Sequence, residues 1–186
     1  MNRLDINIVN LFSSYHVWEE SNRFYFETDY SLKYFVDFTK EDNPKFTAYW
    51  FNLVNMSGAA SPNDTKIWQT VFCIIEVFFR ANPDILLYLC STAREQQAQR
   101  ARLFSFWFRK AGQQERYYFK TIEVKGEEPG TKEYVAVIIP RNHPQAQEVL
   151  NFFDEETAMF NAMKPWGLIR PPVIDERWTI EITMNP

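Results

Sequence analysis

The sequence predicts an α+β fold: an antiparallel or mixed sheet of five to seven strands with three main helices packed on it. Three observations predict it. Aromatic and β-branched runs, bounded by turn residues, recur before Ser57 and again after Arg116. Between and after these runs lie stretches whose apolar residues recur at helical spacing. The run Ile85 to Cys90 is continuously apolar and short, as a strand covered on both faces is.

The first strand is Phe24-Tyr25-Phe26, and a turn over Asp29–Lys33 returns the chain into Tyr34-Phe35-Val36-Asp37-Phe38. Tyr34, Val36 and Phe38 share one face at period two, so the pair reads as a hairpin. The segment before Phe24, with His16 and Trp18, is assigned to no element. Phe46 to Val54, set between Asn43-Pro44 and Ser57-Gly58, is the third strand. Ser61-Pro62-Asn63-Asp64 opens a helix that is expected to be mostly buried, with Gln69, Cys73, Glu76 and Arg80 on one narrow stripe as its solvent edge. Asn82-Pro83 stops it, and Ile85–Cys90 follows as the central strand. Ser91 or Thr92 caps a helix over 94–111 that ends at Gly112. Tyr117–Val124 and Glu133–Ile139 form a hairpin whose tip is the acidic loop between them. Pro144 starts a last helix carrying Val149, Phe152, Phe153, Phe160 and Met163 on one side. The order is βββαβαββα, and a C-terminal strand, Arg177 to Thr183, alternates Trp178, Ile180 and Ile182. Residues 1–163 are expected to be a single domain, and 164–186 a Pro-containing extension.

Composition supports a packed core. Of 186 residues 46% are hydrophobic, and the seventeen Phe and six Trp are read as interior. Cys73 and Cys90 lie in apolar runs as small buried hydrophobes, so no disulfide framework is expected. Residues 1–22 contain Asp5, Glu19 and Glu20 and no apolar targeting core. No run reaches the roughly 20 apolar residues that span a bilayer. The expected location is the cytoplasm. A net charge of −4 argues against a strongly basic nucleic-acid binder and leaves local charge to be examined.

Phe24-Tyr25-Phe26-Glu27-Thr28 with Tyr34–Phe38, the strand Leu86-Leu87-Tyr88-Leu89-Cys90-Ser91-Thr92, and Arg100-Ala101-Arg102-Leu103-Phe104-Ser105-Phe106-Trp107-Phe108 together resemble an uncharacterised bacterial family of domains of unknown function. The resemblance covers roughly residues 22–160. It implies shared architecture and no reaction, cofactor or catalytic residue.

The chemistry-bearing patterns are mostly absent. His16 and His143 are the two histidines, and with two cysteines in separate elements there is no zinc spacing. No metal and no cofactor is expected. His143, ahead of Pro144, is read as capping or solvent-facing. Five scattered glycines exclude a phosphate-binding loop, a dinucleotide turn and a nucleophile elbow. Asp154-Glu155-Glu156 is read as a solvated helix face.

The helix over 94–111 concentrates charge. Arg94, Arg102 and Arg109 cluster on one side, with Lys110 beside them, opposite an apolar face of Ala101, Phe104, Trp107, Phe108 and Ala111. That stripe suits an acidic partner or phosphates, and otherwise is a solvated face. Arg100 points into the apolar sector, and with Ser91 and Thr92 at the end of the central strand it forms a candidate anion site. The favoured function is a non-enzymatic protein-interaction module, with another protein, or self-association through the C-terminal strand, as partner and no membrane involved. The alternatives are nucleic-acid binding through the basic helix, and a small-anion binder or enzyme centred on Ser91, Thr92 and Arg100.

Overall fold

The structure, a computed structural model, describes residues 1–58, 64–90, 104–106, 108–109, 112–125 and 132–162. The strands are β1 (Val17–Glu20), β2 (Arg23–Glu27), β3 (Lys33–Lys40), β4 (Ala48–Asn55), β5 (Ile85–Cys90), β6 (Tyr117–Lys125) and β7 (Lys132–Pro140). The helices are α1 (Ile6–Phe12), α2 (Thr65–Ala81) and α3 (Ala146–Ala162), and residues 104–106 and 108–109 are also helical. The sheet is mixed and seven-stranded, in the order β1-β2-β3-β4-β5-β7-β6, which makes the fold α+β. β4 and β5 pair in parallel, and α2 lies between those two strands in sequence, as a parallel connection requires. Among the described residues no helix is long and apolar enough to cross a membrane.

The chain begins with two elements that the sequence patterns do not announce, α1 and β1. Asp5 caps α1 by accepting the Asn7 N–H at 3.0 Å. Ser21 and Asn22 both take positive φ, 52° and 61°, and join β1 to β2 in a two-residue turn. Without a glycine that turn has no strong sequence mark, and β1 is four residues long with two terminal glutamates.

By contacts the chain divides into two compact units. The first holds α1, β1, β2, β3, the Phe51–Asn55 part of β4, and α2. Its core is an aromatic stack: Tyr15 on Phe26, Phe26 on Tyr34 at 5.2 Å, and Phe38 on Phe78 of α2 at 4.4 Å. Arranged near 5–6 Å, such pairs add roughly 0.5–1.5 kcal/mol each beyond their burial. From Ile67 to Arg80, α2 is buried except at Gln69, Cys73, Glu76 and Arg80, the stripe predicted from helical periodicity. Burial raises the Cys73 thiol pKa, and Glu76 adds to the rise.

The second unit holds Lys40–Trp50 with the start of β4, then β5, β6, β7 and α3. Its sheet is covered on both faces. On one face Trp50, Leu87, Val137 and Ile122 pack under Val149, Phe152 and Phe153 of α3. On the other, Phe104 stacks on Tyr88 at 4.7 Å and Phe108 stacks on Phe119 at 4.8 Å. Burial of β5 on both sides, with Ile85 and Leu86 at 0% exposure, is what its unbroken apolar run predicts. Phe104 and Phe108 are buried as the apolar face of their helix requires. His143 takes the capping role: its Nδ1 accepts the Gln145 N–H at 3.2 Å and its carbonyl accepts the Ala146 N–H, at the entrance to α3.

Candidate functional site

The site of most interest follows from β6. Among the described residues this strand ends the sheet, and its nine residues pair with β7 from Tyr117 opposite Pro140 to Lys125 opposite Lys132. Alternation puts Tyr118 and Lys120 on the α3 face, and Tyr117, Phe119 and Thr121 on the face with Phe108. The two coverings leave a groove of about 640 Å³ along the strand. One wall is Gln147, Leu150 and Asp154 of α3, spaced to share a helix face; the other is Ser105, Phe108 and Arg109.

The groove is cationic. Lys120 is ion-paired with Asp154. Arg141, just past β7, lies over the Tyr118 ring at 4.3 Å and donates from Nε to the Gln114 carbonyl at 3.0 Å. These contacts fix its guanidinium while leaving its outer nitrogens for a ligand. Arg109 is exposed at the opposite wall. Among the described residues neither Arg109 nor Arg141 has a carboxylate partner, so three cations meet one acid. The Thr121 Oγ1 is buried and has no hydrogen-bond partner among the described residues. Such a hydroxyl costs stability until something reaches it.

Of the cations singled out from the sequence, Arg109 lies in this groove, exposed as its helix phase requires. Arg94, Arg102 and Lys110 of the basic stripe, and Ser91, Thr92 and Arg100 of the anion site, lie outside the described residues, as does the C-terminal strand. Lys120, Thr121 and Arg141 escaped the sequence patterns. A lysine amid Tyr117, Tyr118 and Phe119 and an arginine after a strand are local hints, but register and α3 packing bring them together. Asp154, read as solvated, is exposed and also holds Lys120.

Two other polar clusters serve the scaffold. In the first unit the Tyr15 hydroxyl donates to Asp64 Oδ2 at 2.6 Å, while Asp64 Oδ1 caps α2 through the Lys66 N–H. Burial and that bond push the Tyr15 hydroxyl above the ordinary phenol range. Lys66 bonds Asp29, which lowers the Asp29 carboxyl and raises the ammonium. In the second unit the Trp50 indole N–H donates to Glu41, whose carboxylate is buried. Among the described residues no three His, Cys, Asp or Glu side chains gather as a metal-ligand set.

A family model described as a family of unknown function, DUF6169, matches residues 63–155, half of the chain. The matched stretch runs from the entrance of α2 into α3, so it contains β5, β6 and β7. No curated protein and no solved structure matches.

Proposed function

The chain belongs to the DUF6169 family of unknown function, and from that premise we propose that it is a non-enzymatic protein-interaction module of the cytoplasm whose β6 groove receives an acidic segment of a partner protein. The observation that carries this reading is the pair of guanidiniums, Arg109 and Arg141, set in one groove with no carboxylate partner of their own among the described residues, the groove's one acid, Asp154, being paired with Lys120. Arg141 is held by ring stacking and a carbonyl contact, and Arg109 is exposed across the groove; arginines in such a setting favour carboxylates approaching from outside. Aromatic walls from Tyr118, Phe108 and Phe119 supply the apolar area that interface cores use. The groove lies within the family-matched stretch.

The test is fluorescence anisotropy with a labelled oligoglutamate peptide, an oligolysine peptide and a single-stranded oligonucleotide. Oligoglutamate binds the wild-type chain, and Arg109→Glu with Arg141→Glu weakens it about tenfold or more while the circular dichroism spectrum is retained. Equal affinity for both proteins overturns the reading. A salt-sensitive preference for the oligonucleotide replaces it with nucleic-acid binding.

A further inference from the structure

The backbone of β6 specifies how a partner is held. The Arg141 N–H donates to the Arg116 carbonyl at 3.0 Å, and these two residues stand opposite one another in the β6–β7 register. In an antiparallel ladder that contact marks a hydrogen-bonded pair, and such pairs recur at every second residue. Tyr118, Lys120 and Ile122 therefore direct N–H and C=O toward β7. Phe119 and Thr121 direct theirs away from it. Pro140 agrees with this phase: opposite Tyr117 it occupies a non-bonded pair, where its missing N–H costs the β6–β7 ladder nothing. Among the described residues no strand pairs with the outer edge of β6.

Side chains on the two faces of that edge differ in character. Lys120 and Arg141 lie on the α3 face. Phe119 and Phe108 make the other face aromatic, with the buried Thr121 hydroxyl beside them. A strand added to this edge sends successive side chains to opposite faces. We propose that the partner docks as an additional strand on β6, and that it is an extended segment alternating acidic with apolar side chains. The acidic ones meet Lys120 and Arg141, and the apolar ones meet Phe108 and Phe119. Pairing of β6 with β6 of a second copy is disfavoured, because Lys120 and its neighbouring arginines would face their own kind. This inference rests on the acidic-partner reading and adds backbone pairing and period-two selection to it.

The probe is a short synthetic peptide alternating glutamate with valine and phenylalanine. It is compared with a shuffled peptide whose glutamates are contiguous, and with the alternating peptide N-methylated at every second residue. Thr121→Pro is the matching change in the chain, since it deletes an outward N–H and leaves the β7 ladder whole. Expected is binding of the alternating peptide, weakened about tenfold by shuffling, by N-methylation and by Thr121→Pro. If all acidic peptides bind alike, and Arg109→Glu with Arg141→Glu weakens all of them, strand addition is wrong and the acidic groove stands. If none binds, both fall. N-methylation alters only the peptide, so it separates these outcomes even where Thr121→Pro impairs folding.

Discussion

Trp50→Phe provides a stringent test of how the second unit is held. Trp50 is 2% exposed, and its indole N–H donates to Glu41, itself 8% exposed. Phenylalanine keeps most of the ring but removes the donor, leaving a buried carboxylate without that partner at about 1–3 kcal/mol. The lost ring atoms add about 1 kcal/mol of missing packing, because Trp50 sits among Ile85, Leu87 and Phe153 in the core. The expected total is about 3 kcal/mol, a large part of a typical domain stability of roughly 5–15 kcal/mol. In a Glu41→Met background no carboxylate remains to be orphaned, so the same Trp50→Phe change costs about 1 kcal/mol. The resulting coupling of about 2 kcal/mol stands above the roughly 0.5 kcal/mol scatter of independent sites. Urea unfolding followed by far-ultraviolet circular dichroism at neutral pH measures all four proteins, with unchanged slopes certifying comparable transitions. An identical Trp50→Phe cost in both backgrounds refutes the reasoning.

Three other perturbations probe the core, a helix cap and a titrating side chain. Phe153→Ala empties a site at 0% exposure beside Phe46 and Phe152, and lowers stability by about 3–5 kcal/mol in urea unfolding; a loss below about 1 kcal/mol contradicts its place in the core. Asp64→Ala removes both the α2 cap and the Tyr15 acceptor and costs about 1–3 kcal/mol; Asp64→Ser restores the cap alone, so thermal unfolding places it between wild type and alanine. Burial lowers the His143 pKa from its usual 6.5, with Asp84 opposing the shift, and the neutral ring is the form that accepts the Gln145 N–H. The unfolded chain therefore binds the proton more readily, and stability is lost as pH falls from about 6.5 through the depressed value. His143→Asn keeps a capping acceptor without titrating, so its stability falls less than that of wild type over this window; parallel pH profiles contradict the assignment.

The legible parts of the fold are those in which burial follows local periodicity. Tyr34, Val36 and Phe38 alternate, and all turn toward the core of the first unit. Gln69, Cys73, Glu76 and Arg80 mark the less buried side of α2 because little else in that helix is polar. β1 was illegible: Val17-Trp18-Glu19-Glu20 is short, and its turn relies on Ser21 and Asn22 at positive φ where glycine is the usual signal. Within the groove, the outward phase of Arg109 was legible from helix geometry. Lys120 and Arg141 join it through the strand register and α3, and no local pattern encodes that meeting. The resemblance, read over residues 22–160, corresponds to a family match over 63–155. It conveyed architecture and nothing of the groove.

Amide hydrogen exchange of the free chain, resolved by nuclear magnetic resonance, tests the central claim most directly, because it asks whether β6 offers its edge. The expected pattern is alternation: slow exchange at Tyr118, Lys120 and Ile122, which face β7, and fast exchange at Phe119 and Thr121, slowing when the alternating acidic peptide is added. Uniformly slow exchange along the free strand would mean that its outer edge is already paired, and would contradict the proposed mode of binding.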